Sequence, residues 1–347
     1  MTPPLSGLLV PVPTPGRRPC LEGAPVSLPD VLAGPLSVPV LASPLFIASG
    51  PGLVKAQCQA GVVGSFPALN ARPAELLEEW LSDIEESNAA YARAHPDAYV
   101  APFAVNQIVH RSNERLETDM AVIVEHEVPI VITSLGAREE VNEAVHSYGG
   151  IVLHDIINDR FARKAIEKGA DGLIAVAAGA GGHAGTMSPF ALVQEIRTWF
   201  DGPLMLSGAI AHGRSVLAAL AAGADLAYVG SAFLATREAN TVEGYKQMIV
   251  DSRADDIVYS NLFTGVHGNY LRGSIEAAGM DPDDLPTSDA SAMDFGSGGT
   301  EAKAWKDVWG SGQGIGAVDA IGSVADLVGR LRREYAEAAG QLRTRLP

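Results

Sequence analysis

The run Gly179-Ala-Gly-Gly-His-Ala-Gly185 carries one titratable side chain, His183, among four glycines. Glycine lets the backbone come close to a ligand, and histidine is the side chain best suited to moving a proton near neutral pH. Together they read as a ligand-contacting loop with one acid–base group. Two further runs suit an anion: Ser207-Gly-Ala-Ile210 and Val229-Gly-Ser231 place Gly208 and Gly230 where main-chain N–H groups can close on a phosphate. Gly312-Gln-Gly-Ile-Gly316 is another glycine-rich wall candidate, with Gln313 as its polar side chain. His154 and His212 follow predicted strands and face the same side in this reading, with a capping or supporting role left open. His95, His110, His126 and His146 read as solvated.

Other chemistries lack their residues. There is no His-x-x-x-His pair, no Gly-x-Ser-x-Gly elbow and no Walker loop. Gly179-x-Gly181-x-x-Ala184 nominally fits the dinucleotide fingerprint, but the next predicted strand, Leu204-Met-Leu-Ser207, ends without the acid that the fingerprint requires.

Loops of this kind need rigid elements behind them. From residue 44 onward, strand-length apolar runs alternate with helix-length amphipathic stretches, as in repeated βα units around a buried parallel sheet. The predicted strands are Leu45–Ser49, Val62–Phe66, Val100–Val105, Ile130–Thr133, Ile151–Leu153, Leu173–Val176, Leu204–Leu206 and Leu226–Val229. Ala48-Ser49, Asn106-Gln107 and His154-Asp155 thereby fall at strand ends, where a barrel carries its site. Helices are expected from Pro73 to His95, with Pro at the first position, and from Val318 to Leu342, among others. Lys168-Gly-Ala-Asp-Gly-Leu-Ile-Ala-Val176 and Ala222-Gly-Ala-Asp-Leu-Ala-Tyr-Val229 repeat one junction, a helix ended by a left-handed glycine and then a strand. The fold class is α/β, a (β/α)8 TIM barrel in preference to an open doubly wound sheet. Residues 1–40 form an N-terminal arm or hairpin closing one end of the core. Residues 41–236 and 311–347 form the barrel, and 237–310, including the acidic Asp281–Gly299 stretch, an inserted lid over its mouth.

Composition narrows the partners. The 347 residues carry 25 basic and 41 acidic side chains, a formal charge of −16, which disfavours nucleic acid and anionic membrane surfaces. Two cysteines, Cys20 and Cys58, form no CxxC pair, no run of 18 apolar residues occurs, and the N-terminal stretch lacks the charged region of a signal peptide. A soluble, cytoplasmic enzyme with a small-molecule substrate is expected, with a homodimer left open.

The combination Gly181-Gly-His183-x-Gly185, Ser207-Gly-Ala-Ile210 followed by Gly213-Arg214, and the run from Gly223 to Glu238 resembles the nitronate monooxygenase (2-nitropropane dioxygenase) family of FMN-dependent TIM barrels, over residues of about 36 to 340. The resemblance implies FMN as cofactor and O2 as co-substrate. Asn106, Gly181 and Gly182 would then meet the flavin, Gly208, Ala209, Gly230 and Ser231 grip its phosphate, and His183 act as catalytic base. Ala48, Ser49, Ser207 and Gln313 complete the cofactor-binding candidates, with no metal site. The implied reaction converts nitronates or nitroalkanes to carbonyl compound and nitrite. FMN-dependent NAD(P)H:quinone or enoyl-thioester reductases share the motif and are the alternative; a non-catalytic flavin-binding accessory protein is a third. The chain departs from the family pattern at Val176-Ala-Ala-Gly179, where Gln-Gly-x-Glu is usual, and at Asp155, where some reductase relatives carry Lys.

Overall fold

The computed structural model describes residues 28–288 and 307–346. The apolar, Val/Ile/Leu-rich runs become β1 (Val40–Ala42), β2 (Gly64–Pro67), β3 (Phe103–Ile108), β4 (Ile130–Ser134), β5 (Ile151–Ile156), β6 (Gly172–Val176), β8 (Leu204–Ser207) and β9 (Leu226–Val229). A two-residue strand, β7 (Gly182–His183), lies apart from them. The eight pair in parallel in the order β1-β9-β8-β6-β5-β4-β3-β2. A bridge between Leu41 and Val63 closes the ring, with the Ala42 amide donating to the Val63 carbonyl at 2.8 Å. This is a TIM barrel. Its outer helices are α1 (Pro51–Gln59), α2 (Leu76–Ala94), α3 (Leu116–Glu125), α4 (Glu139–His146), α5 (Asp159–Glu167), α6 (Pro189–Arg197) and α7 (Gly213–Ala222); α8 (Ser231–Leu234) is one turn after β9.

Alternation along each strand separates two cores. Ala104, Ile132, Leu153, Ile174, Met205 and Leu226 pack inside the barrel, while Val105, Val131, Val152 and Leu173 face the helices. Burial of one such aliphatic side chain stabilises by roughly 1.5–3 kcal/mol. Two residues further along the same strands, the inward positions become Asn106, Ser134, Asp155, Val176, Ser207 and Tyr228. A mostly polar ring therefore caps an apolar plug.

Several boundaries differ from the sequence expectation. Leu45–Ser49 is not the first strand but a turn after it: the Ser49 amide donates to the Leu45 carbonyl, and Ile47 has a left-handed φ of 66°. β1 lies upstream because Val40, Leu41 and Ala42 are the residues that pair with β9. Pro73 precedes its helix, which starts at Leu76. Asn106-Gln107 and His154-Asp155 lie within β3 and β5, since pairing with β4 runs through Ile108 and pairing with β6 through Ile156. At the other end of the barrel, residues 28–36 form turns rather than a hairpin, with Leu32 inserted beneath the inner core. Residues 1–27 of the expected arm and 289–306 of the expected lid lie outside the described residues.

Beyond α8 the chain leaves the βα rhythm through α9 (Glu243–Asp251), β10 (Ile257–Ser260), β11 (Gly268–Leu271) and α10 (Arg272–Ala277). β11 pairs antiparallel with both β10 and β7, so this excursion is hydrogen-bonded to the loop after β6. The last helix, α11 (Val324–Arg343), starts later than expected because Gln313–Ala317 forms a 3-10 turn and Ser323 caps the helix by accepting from the Asp326 amide at 3.0 Å. It packs on α7 and α1, and a Cβ on Gly213 would meet the Leu331 carbonyl at 2.3 Å.

Candidate active site

The carboxyl ends of the strands open into a cavity of about 760 Å³. Three of the four described non-glycine residues with left-handed φ (Ile47, Leu135 and Ala209) line it. Backbone strain of this kind concentrates where a ligand is held.

His183 sits in β7, its register set by pairing with Gly268. Its Nε2 lies 2.9 Å from the Thr264 hydroxyl, which in turn donates to the Val266 carbonyl at 3.0 Å. A hydroxyl has one proton to give, so with that proton on the Val266 carbonyl the Thr264 oxygen accepts from Nε2–H. Burial pushes the imidazole down to about 4, which keeps the ring neutral at physiological pH.

Below lies the polar ring. Asn106 Nδ2 donates to the Ser134 hydroxyl at 2.8 Å, and that hydroxyl donates to Asp155 Oδ2 at 2.6 Å. Asp155 Oδ1 has no hydrogen-bond partner, nor has the Tyr228 hydroxyl, with Ser43 beside it but outside bonding geometry. Burial raises the Asp155 carboxyl to about 6, the Ser134 hydrogen bond opposing. Burial, with the Asp155 charge added, drives the Tyr228 phenol well up. His154, also buried, is pushed down to about 4 and turns to the Thr133 hydroxyl at 2.5 Å.

The opposite end is built from backbone. Ser207, Gly208 and Ala209 after β8 and Gly230 and Ser231 after β9 line the cavity together. Gly208 has a φ of 138°, and a Cβ there would meet the Ala178 carbonyl at 2.7 Å. The Ser231 hydroxyl accepts from the Gly312 amide at 2.8 Å, and the Gln313 amide donates to the Gly179 carbonyl at 2.9 Å, so the 309–313 segment is stitched to the loops after β9 and β6. Apolar walls come from Phe46, Leu69, Leu135, Ile157 and Phe161, with the cations Arg72 and Lys164 among them.

The cavity brings together His183, Asn106, Gly181, Gly182, Ser207, Gly208, Ala209, Gly230 and Ser231. Ala48 and Ser49 do not line it. They are buried behind the wall, where the Ser49 hydroxyl accepts from the Leu45 amide at 3.0 Å and the Ala48 carbonyl accepts from the Asn240 amide at 2.9 Å. Gln313 supports the loop through its main chain and does not line the cavity. His212 caps α7 away from the site, whereas His110, read as solvated, lines it. Sequence reasoning missed Ser134, Tyr228 and Thr264. The first two were available as inward positions of their strands; Thr264 carries no local signal. Among the described residues no cluster of His, Cys, Asp and Glu could hold a metal ion, and no helix is long and apolar enough to cross a membrane.

A TIM barrel with one histidine in a glycine loop over a polar floor defines a barrel enzyme with its site at the strand ends. The family profile described as nitronate monooxygenase matches residues 36–334, and the chain belongs to that family of oxidoreductases. It is similar to the nitronate monooxygenase of Paraburkholderia phytofirmans, 27% identical over 344 residues that cover 88% of this chain and 94% of that one. The nitroalkane oxidase of Streptomyces ansochromogenes superposes with a TM-score of 0.74 at 23% identity, covering 88% of this chain and 97% of that one. FabK of Thermotoga maritima gives 0.73 at 24% identity, covering 91% and 98%.

Proposed function

We propose that this protein is an FMN-dependent monooxygenase that oxidises alkyl nitronates with O2 to carbonyl compound and nitrite. The observation that carries the reading is the imidazole of His183, set 2.9 Å from the Thr264 hydroxyl over a cavity whose far end is backbone and glycine. The residues fit FMN. Gly208, Gly230 and Ser231 offer main-chain donors and no carboxylate to a phosphate, as loops after the last two barrel strands do in many barrels, while Ala209, whose amide donates to the Gly179 carbonyl at 3.1 Å, helps to wall the site. Asn106 and the ring around it offer a polar surface to a flavin, and the cavity volume suits a ligand of that size. When bound, the flavin supplies the electron acceptor and the site of reaction with oxygen.

The chain's own residues hold and orient the substrate. The apolar wall accepts an alkyl group, and Arg72 and Lys164 give the anion a locally favourable field in a chain of net charge −16. His183 is the side chain placed to take the α-proton of a nitroalkane. Its low basicity makes it a weak base for a carbon acid, so the site is better matched to a nitronate that is already ionised, which the ring orients. Purified protein reconstituted with FMN tests this: oxygen uptake and nitrite release with propane-2-nitronate are expected without NADH. Oxygen uptake that requires NADH would support a reductase instead, and a protein that takes up no FMN would remove the reading.

A further inference from the structure

Among the described residues, the polar floor contains a carboxylate without a counter-ion. Asp155 is the one carboxylate among the described residues lining the cavity. Its Oδ2 has the Ser134 hydroxyl, but its Oδ1 and the neighbouring Tyr228 hydroxyl are buried without partners. Carboxylates kept for stability are paired or fully hydrogen-bonded, because an uncompensated buried charge destabilises the fold. Groups left in this condition cluster at functional sites.

No described residue around it compensates that charge. On β9, Tyr228 faces it and its field raises the phenol. Ser134 on β4 does not titrate, and β6 presents Val176. His154 bonds Thr133 instead, and His183 bonds Thr264. The cavity cations, Lys164 on α5 and Arg72, form no ion pair with it; the causes acting on its carboxyl are burial and Ser134.

We propose that Asp155, with Tyr228 beside it, forms the floor under the bound flavin ring, and that its negative charge opposes the charge the flavin gains on reduction, so that removing this carboxylate makes the flavin easier to reduce. This rests on the FMN reading above. Asp155 is then a potential-setting residue that exchanges no atom with substrate. A unit charge in a poorly solvated cavity acts strongly over a few ångströms, enough to move a redox equilibrium by about tenfold or more.

The test is a dye-coupled reductive titration of the FMN-loaded protein, wild type against Asp155→Asn, at pH 8 and pH 5. At pH 8 the variant's equilibrium with the dye is expected to shift about tenfold or more toward reduced flavin. At pH 5 the two converge, because the wild-type carboxyl then holds its proton. Asp155→Ser, which removes the charge through a different side chain, gives the same shift and serves if the Asn variant folds poorly. Equal potentials at pH 8 in FMN-loaded wild type and variants overturn the proposal. A wild type that binds no FMN overturns the reading beneath it instead.

Discussion

His183 Nε2 and the Thr264 hydroxyl lie 2.9 Å apart across two segments separated by 81 residues of sequence, which ties the loop after β6 to the excursion after β9. The contact fixes both the ring's orientation and the nitrogen that carries its proton. Thr264→Val removes it while keeping the shape. Turnover of a nitronate is expected to fall about tenfold with KM little changed, and Thr264→Ser to recover most of the loss, as expected for one oriented hydrogen bond. Steady-state kinetics across pH check this, because a merely structural role would not move the acid limb of the profile.

Replacing the ring itself has a larger effect. His183→Ala is expected to lower kcat/KM by about a hundredfold or more with FMN still bound, since the phosphate end of the cavity is untouched. Flavin absorbance together with nitrite release separates the two readouts. Loss of FMN along with activity would mean that His183 holds the loop rather than the substrate.

Buried His154 and half-buried His183 link the fold to acid. His183 and His154 have folded values of about 4 against an ordinary 6.5, so the unfolded chain binds protons first as pH drops. Stability is therefore complete above 6.5 and lost as pH falls toward 4, by up to about 3 kcal/mol for each ring. Asp155 acts oppositely: raised from 3.8 to about 6, it favours the folded state below 3.8 and loses that contribution as pH rises through 6. Urea unfolding of the flavin-free protein at pH 7, 5.5 and 4.5 should show a net fall in midpoint toward acid.

At the backbone end, Gly208 has a left-handed φ and no room for a Cβ beside the Ala178 carbonyl. Gly208→Ala must move the loop after β8, at a cost of roughly 1–3 kcal/mol, and FMN affinity is expected to drop more than tenfold. Fluorescence titration with FMN measures it directly; unchanged affinity would place the phosphate elsewhere.

The barrel was legible because its strands are runs of Val, Ile and Leu separated by left-handed glycines, and Gly169 and Gly223 do adopt φ of 91° and 113°. The first strand was not. Val40–Ala42 is three residues long and flanked by prolines, and its identity depends on pairing with β9, which no local pattern reveals. That displacement also explains why Ala48 and Ser49 lie behind the cavity wall while Pro44 to Ile47 form part of it. His183 stood out by its glycine neighbours. Tyr228 did not, because it sits inside an apolar strand and gains meaning only from the Asp155 carboxyl that the closed barrel brings near it. Thr264 needed the tertiary pairing of β11 with β7.

Anaerobic stopped-flow mixing of the FMN-loaded protein with propane-2-nitronate and, separately, with NADH tests the monooxygenase activity most sharply. Rapid loss of the oxidised flavin band is expected with the nitronate and none with NADH. Bleaching by NADH alone, with the nitronate inert, would contradict it.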